Sequence, residues 1–329
     1  MGRPEGRPLP HMDAAYAHVE SRTVTAEAVS NRRWLTLGLA LAAGVCAAGF
    51  WNASVADGFG RDVIAGNAIG GATGKAAQYS TLGAGFGFLF AVVAGVAATF
   101  TACNCVAFAM IPGLVCARDA GSVRREALHS LGVMLLFVVL IDATYGAFVG
   151  WLGPAGAAAF NTREIRLAQA SVVFTALGTL MVFWGGIELG LLDALVRRCS
   201  PITRAFFAQT TTKAALMGAM VGAFAVGRPF PVFREFLLFT AQSRNPAYGA
   251  VVMALQGLGQ VLVMVTLFLL IVWLFGDRLA RWISVPLRSA TVSGAALIVG
   301  GAYFVTYWGI FLAWPSLGRW GFTLGLYHR

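Results

Sequence analysis

Two cysteines stand two residues apart in the segment Thr99-Phe-Thr-Ala-Cys-Asn-Cys-Val-Ala-Phe-Ala-Met-Ile-Pro-Gly113. Thiols at Cys103 and Cys105 could exchange electrons, with the thiolate as the attacking form. The segment lies in a long apolar run that also holds Asn104 and Pro112. Pro112 removes a backbone donor and interrupts a regular helix. Irregular backbone at membrane depth survives only where protein or a water-filled cavity satisfies it. The segment is therefore expected to face the protein interior. Each helical residue turns by about 100°, so a regular helix would point the two thiols apart. A bridge between them needs an irregular loop with Cα atoms within about 7 Å. An apolar setting also disfavours the thiolate unless a positive group is near. Arg228 is the candidate for that group. The alternative is packing, since small polarizable side chains suit a membrane core. Cys46 and Cys116 read as packing residues, Cys116 with a cytoplasmic donor in reach. Cys199 lies in a basic loop.

Three ionisable residues fall at or near membrane depth: Asp142, Glu188 and Arg228. Burying such a group unpaired is expensive, so each needs a partner or water. The economical pairing is Arg228 with Asp142 or Glu188. Such a pair would lock elements together or line a polar path for a proton or an anion. Arg228 belongs to a second chain break, Gly227-Arg-Pro-Phe-Pro231, in which Pro229 and Pro231 each remove a donor. Three of the four histidines lie near the chain ends, which argues against a histidine-built metal centre. No phosphate loop, no nucleophile–base–acid set and no His-x-x-x-His pair is present. No cofactor and no metal are required.

The elements that carry these residues follow from hydropathy. The 329 residues are 58% hydrophobic and 12% charged, about half the charge of a soluble domain. Apolar runs of about 20 residues recur along the chain, which predicts an all-α polytopic membrane protein. Seven spans are expected, near 34–51, 81–115, 131–152, 168–195, 214–240, 248–275 and 289–314. Residues 1–33 read as a cytoplasmic tail, 34–80 as the first span with an external Gly/Ala-rich loop, and 315–329 as an external tail. With the N-terminus inside, 15 of the 24 basic residues fall in inner segments and seven, Arg163 and Arg166 among them, in outer ones. The remaining two, Arg228 and Arg234, lie within the fifth span. Basic loops stay on the cytoplasmic side, so the bias supports N-in, C-out. The net charge of +10 thus reflects topology and gives no reason to expect nucleic acid.

The chain also carries a weak internal repeat of 81–195 in 214–314. Leu128-His-Ser-Leu-Gly132 matches Leu255-Gln-Gly-Leu-Gly259 at an offset of 127. Trp184-Gly-Gly-Ile matches Trp308-Gly-Ile at 124, and Cys103 plus 124 falls on Gly227. Two units of three spans must be oppositely oriented, and inverted repeats with paired broken helices place a working site between them near the midplane.

These features resemble the membrane domain shared by the cytochrome c biogenesis protein CcdA and the thiol-disulfide transporter DsbD. Thr101-Ala-Cys-Asn-Cys…Pro112-Gly113 stands where that family has its first Pro-Cys-x-x-Pro-like break. Val226-Gly-Arg-Pro-Phe-Pro-Val-Phe233 stands where it has the second. Pro246-Ala-Tyr-Gly-Ala…Leu255-Gln-Gly-Leu-Gly259 resembles its fifth core span. The resemblance covers about residues 81–314 and departs at two places. Ala102 stands where a proline precedes the first cysteine, and Phe230 occupies the second cysteine position.

The resemblance implies thiol-disulfide exchange across a bacterial-type inner membrane, in support of cytochrome c or related cofactor maturation. Its partners would be a thioredoxin-like donor inside and a thiol protein outside. Cys103 is carried over by motif, and Cys105 is a local replacement for the missing thiol. Two other readings remain open. One is a transporter that moves a small ion or solute past Arg228 and Asp142. The other is a maturation subunit that keeps the scaffold without the chemistry.

Overall fold

A computed structural model of the chain describes residues 31–101, 120–198, 200–201, 209–283, 286–318 and 320–326. It is 86% helix, with no strand among the described residues. The helices are α1 (31–49), α2 (Ala53–Gly58), α3 (Gly66–Ile69), α4 (Tyr79–Thr99), α5 (Ala120–Phe160) and α6 (Arg163–Glu188). They continue as α7 (Asp193–Val196), α8 (Thr210–Gly227), α9 (Pro231–Gln242), α10 (Pro246–Ile283), α11 (Pro286–Phe304) and α12 (Trp320–Thr323). Two π-helical stretches extend them: Phe59–Ala65 joins α2 to α3, and Val305–Phe311 prolongs α11.

Five helical stretches among the described residues are long and apolar enough to cross a bilayer. They are Tyr79–Thr99, Arg125–Phe160, Arg163–Glu188, Pro246–Phe275 and Ala290–Phe311. The bent pair α8–α9 makes a sixth when taken as one span. α1 is not in this set, since Arg32 and Arg33 dilute its first turn. Outward-facing side chains such as Leu136, Leu140, Val172 and Leu262 are exposed and apolar. Surfaces of that kind belong against lipid, so this is a multi-pass membrane protein.

Local sequence sets the ends. The Thr162 hydroxyl accepts from the Ile165 amide and starts α6, with Glu164 in its positive first turn. Asn245 Oδ1 accepts from the Ala247 and Tyr248 amides at the head of α10, where Pro246 has no donor to lose. Gly153 at φ 69° and Pro154 together break α5 near its C-terminal end.

Of the Gly/Ala-rich loop expected over 52–80, with room for a short amphipathic piece, residues 53–69 are helical and 70–78 are turns. The segment runs antiparallel along α4: the Phe59 ring meets Phe100 at 4.7 Å, and Lys75 reaches the ring of Phe86. Gly60 lies directly against the Ala97 carbonyl, where no Cβ would fit. The small residues that suggest a loop in the sequence are what permit this close approach.

The registers of the long helices are fixed by close pairs. α4 and α10 run in the same direction, with Tyr248 donating to the Ala84 carbonyl at one end and Thr99 to the Gln260 carbonyl further along. α8 and α5 also run in the same direction, with Thr210 at Glu126, Gly218 at Met134 and Gly222 at Val138 and Ile141. α5 and α10 are antiparallel, and so are α6 and α11. The apolar core is in two parts. One holds Met134, Val138, Phe174, Phe224, Val261 and Phe304. The other holds Phe90, Val149, Phe233, Phe236, Phe239 and Met253. On α5 the parts are separated by Asp142, and on α10 by Gln256, Gly257 and Gln260. A polar layer thus divides the interior where α8 gives way to α9.

Candidate functional site: a polar layer at a broken helix

α8 stops at Gly227, Arg228 is extended at ψ 116°, and α9 starts again at Pro231 on an axis turned by 83°. The cause is local. Pro229 and Pro231 offer no amide, so beyond the Arg228 amide, which donates to the Ala225 carbonyl, the chain has little with which to cap the last carbonyls of α8. Arg166 caps them. Its guanidinium donates to the Val226 carbonyl at 3.1 Å and to the Arg228 carbonyl, and also to Tyr145 Oη and Gln169 Oε1, each at 3.0 Å. Arg166 is fully buried. The basic-residue tally counts it in a loop before the fourth span, whereas here it lies within the helical stretch Arg163–Glu188. Thr162 starts α6 several residues before the expected span, and this turns Arg166 inward.

Arg228 is also buried. Its Nη1 donates to Gln260 Oε1 at 2.7 Å. Gln260 holds the layer together, because its own carbonyl accepts from Thr99 Oγ1 at 3.0 Å. The last turn of α4 and the α8–α9 break therefore share one residue of α10. Both guanidinium groups stand over the Phe233 ring, Arg166 at 5.8 Å and Arg228 at 5.5 Å, within range of cation–π attraction. Asn161 and Arg234 exchange hydrogen bonds through each other's carbonyls at 3.0 and 2.8 Å, tying the α5–α6 turn to α9.

The expected partners of the acids are not the ones observed. Glu188 accepts from Lys213 and from Trp184 Nε1 near the ends of α6 and α8, away from Arg228. Asp142 is fully buried, and neither of its carboxylate oxygens accepts a hydrogen bond among the described residues, from Arg228 or from any other donor. Arg228 acts on it through space without touching it. A Cβ on Gly257 would overlap Asp142 Oδ2, so glycine there makes room for the carboxyl group. Next to it, Gln256 is buried with neither amide atom partnered.

Asp57, in the helical segment before α4, joins the site electrostatically. Burial pushes its carboxyl up from 3.8 to about 6, against the opposing pull of Arg228 and Arg61. Pro229 and Pro231 lie in the break as expected. Phe230 is buried in the second apolar cluster, in the place where the resemblance calls for a thiol. Cys103, Asn104, Cys105 and Pro112 lie outside the described residues, as do Cys116 and Cys199. Cys46 is exposed on α1, not packed as expected. Among the described residues no group of three or more His, Cys, Asp or Glu could hold a metal ion.

Sequence reading missed Arg166, Tyr145, Gln256, Gln260 and Asp57 as members of this layer. Gln256 and Gln260 did carry a signal, since two amides one helical turn apart inside an apolar run share a buried face. Comparison with protein-family models, curated proteins and solved structures returns no match.

Proposed function

We propose that this protein carries reducing equivalents by thiol-disulfide exchange across a bacterial-type inner membrane. It would have seven spans, N-terminus inside, and a 3+3 inverted repeat related to the CcdA/DsbD type. The five apolar stretches, the bent pair and α1 together make seven. The helix pairings also support the repeat: α4 runs parallel to α10 as α8 runs parallel to α5. In an inverted repeat these two contacts are copies of each other.

One observation carries the chemistry. The end of α4 and the Arg228 break meet on Gln260. Two residue steps, through Ala102, lead from Thr101 to Cys103, a reach of at most about 7 Å. In this reading Arg228 is the cation beside the thiol-bearing segment, which is what a thiolate needs in an apolar setting. In the proposed cycle a cytoplasmic dithiol gives up two electrons and is oxidised to a disulfide. Cys103 passes them on through a mixed disulfide, resolved by Cys105 or a partner thiol, and an external disulfide is reduced to a dithiol.

Proteoliposomes with a reduced thioredoxin-like donor inside and a disulfide reporter outside test this reading. Cys103→Ala should abolish reporter reduction, and Cys105→Ser should trap a mixed disulfide on Cys103. Full activity in Cys103→Ala would end the proposal. The second reading, a small-ion or solute transporter, is favoured by the buried Phe230 where a second thiol would stand. Solute uptake that survives Cys103→Ala and is lost in Arg228→Ala would establish it.

A further inference from the structure

We infer that Asp142 is a reversible proton-binding site inside the membrane, whichever cargo the break serves. Three observations point there. First, the side chain is wholly buried in a span, and neither carboxylate oxygen has a donor among the described residues. A carboxylate so placed must be compensated by a proton or by a cation close to it. Second, the nearby cation does not bond to it: Arg228 donates Nη1 to Gln260, and no Arg228–Asp142 ion pair is formed among the described residues. Third, room has been kept beside the group. Gly257 is the one residue type that leaves space at Oδ2, and the Gln256 carboxamide on the same turn of α10 has no partner of its own.

The charged and titratable groups around Asp142 are few. α10 presents none between Tyr248 and the end of its apolar stretch at Phe275. α8 contributes Lys213 at its inner end, where it holds Glu188. α9 contributes Arg234, bonded to Asn161, and Glu235. α6 contributes Arg166, bonded to Tyr145 of α5 itself. The α8–α9 break contributes Arg228, the group whose charge reaches Asp142. Uptake neutralises the carboxylate as the acid O–H, and release returns the proton to water through the polar layer. Two ordered states of the layer follow, one with a charged Asp142 facing Arg228 and one with a neutral acid.

The full chain in detergent micelles tests this with dicyclohexylcarbodiimide, an apolar reagent that adds to a protonated carboxyl group. Peptide mass spectrometry should find the adduct on Asp142, and its rate should fall as pH is raised along a single-group titration. Infrared difference spectra between the two ends of that titration should show the carbonyl stretch of an acid form, lost in Asp142→Asn. No adduct on Asp142 at any pH would overturn the inference. So would an adduct suppressed by sodium at constant pH, which would make the site a metal-cation site. An infrared band unchanged in Asp142→Asn would overturn it too. None of these readings depends on Cys103, so the inference and the thiol cycle can fail separately.

Discussion

Arg166 and Arg228 are equally buried and share the ring of Phe233, yet they are held in different ways. Arg166 is held by backbone: two carbonyls of the break, with a tyrosine and a glutamine completing the set. Backbone carbonyls cannot turn away, so this guanidinium replaces the turn of helix that the prolines abolish. Arg228 is held by the side-chain amide of Gln260, and its charge reaches two acids, Asp142 and Asp57, that it does not bridge. A side-chain amide can rotate, and a through-space charge can be tuned. The difference separates a residue that builds the break from one that can respond within it.

The largest expected effect comes from the first arginine. Arg166→Ala strands two buried carbonyls and should cost about 2–6 kcal/mol in reversible unfolding from mixed micelles. Arg166→Lys should recover only part of this, since one ammonium cannot serve both carbonyls as the planar fork does. If Arg166→Ala unfolds like the parent, the two arginines are not different in kind. Arg228→Gln should cost less, about 1.5–3 kcal/mol for one charged hydrogen bond, while reporter reduction is lost. Gly257→Ala crowds the Asp142 carboxyl and should cost about 1–3 kcal/mol, whereas Gly132→Ala, with open space around it, should be neutral or slightly stabilising.

The smallest effect concerns pH. Asp57 has a carboxyl raised from 3.8 to about 6 in the folded state. Between those values the folded protein binds more protons than the unfolded chain, so its stability should fall as pH rises through that window. Asp57→Asn should flatten the slope. Arg228→Gln should steepen it and extend it above pH 6, because Arg228 opposes the upward shift. A slope indifferent to Arg228 would show that Asp57 does not sense it.

The break itself was legible in the sequence, because prolines spaced two apart in an apolar run leave no regular helix to choose. Asp142 and Arg228 were legible for the same reason, as charges where none is cheap. Their partners were not. Periodicity tells which face a residue occupies and is silent on what another helix brings to that face. Glu188 therefore went to Arg228 on paper and to Lys213 in the fold. Arg166 was hidden by its setting, since Asn161-Thr162-Arg163-Glu164 reads as a polar turn and the cap at Thr162 draws Arg166 into the helix. The helical extent of 53–69 was underestimated because glycine and alanine mark loops in water and close contacts in lipid. The Cys103–Pro112 segment lies outside the described residues.

Arg166 has one further consequence, for biosynthesis. The carbonyls it serves follow it by 60 and 62 residues in the chain. When α6 first leaves the insertion machinery, its guanidinium has only Tyr145 and Gln169 to donate to, and the two carbonyls of the break are still to come. A long basic side chain in that position reaches back toward the headgroups. The sixth helix therefore gains its full set of acceptors only when the eighth and ninth have been delivered, so the broken helix completes a site begun before it.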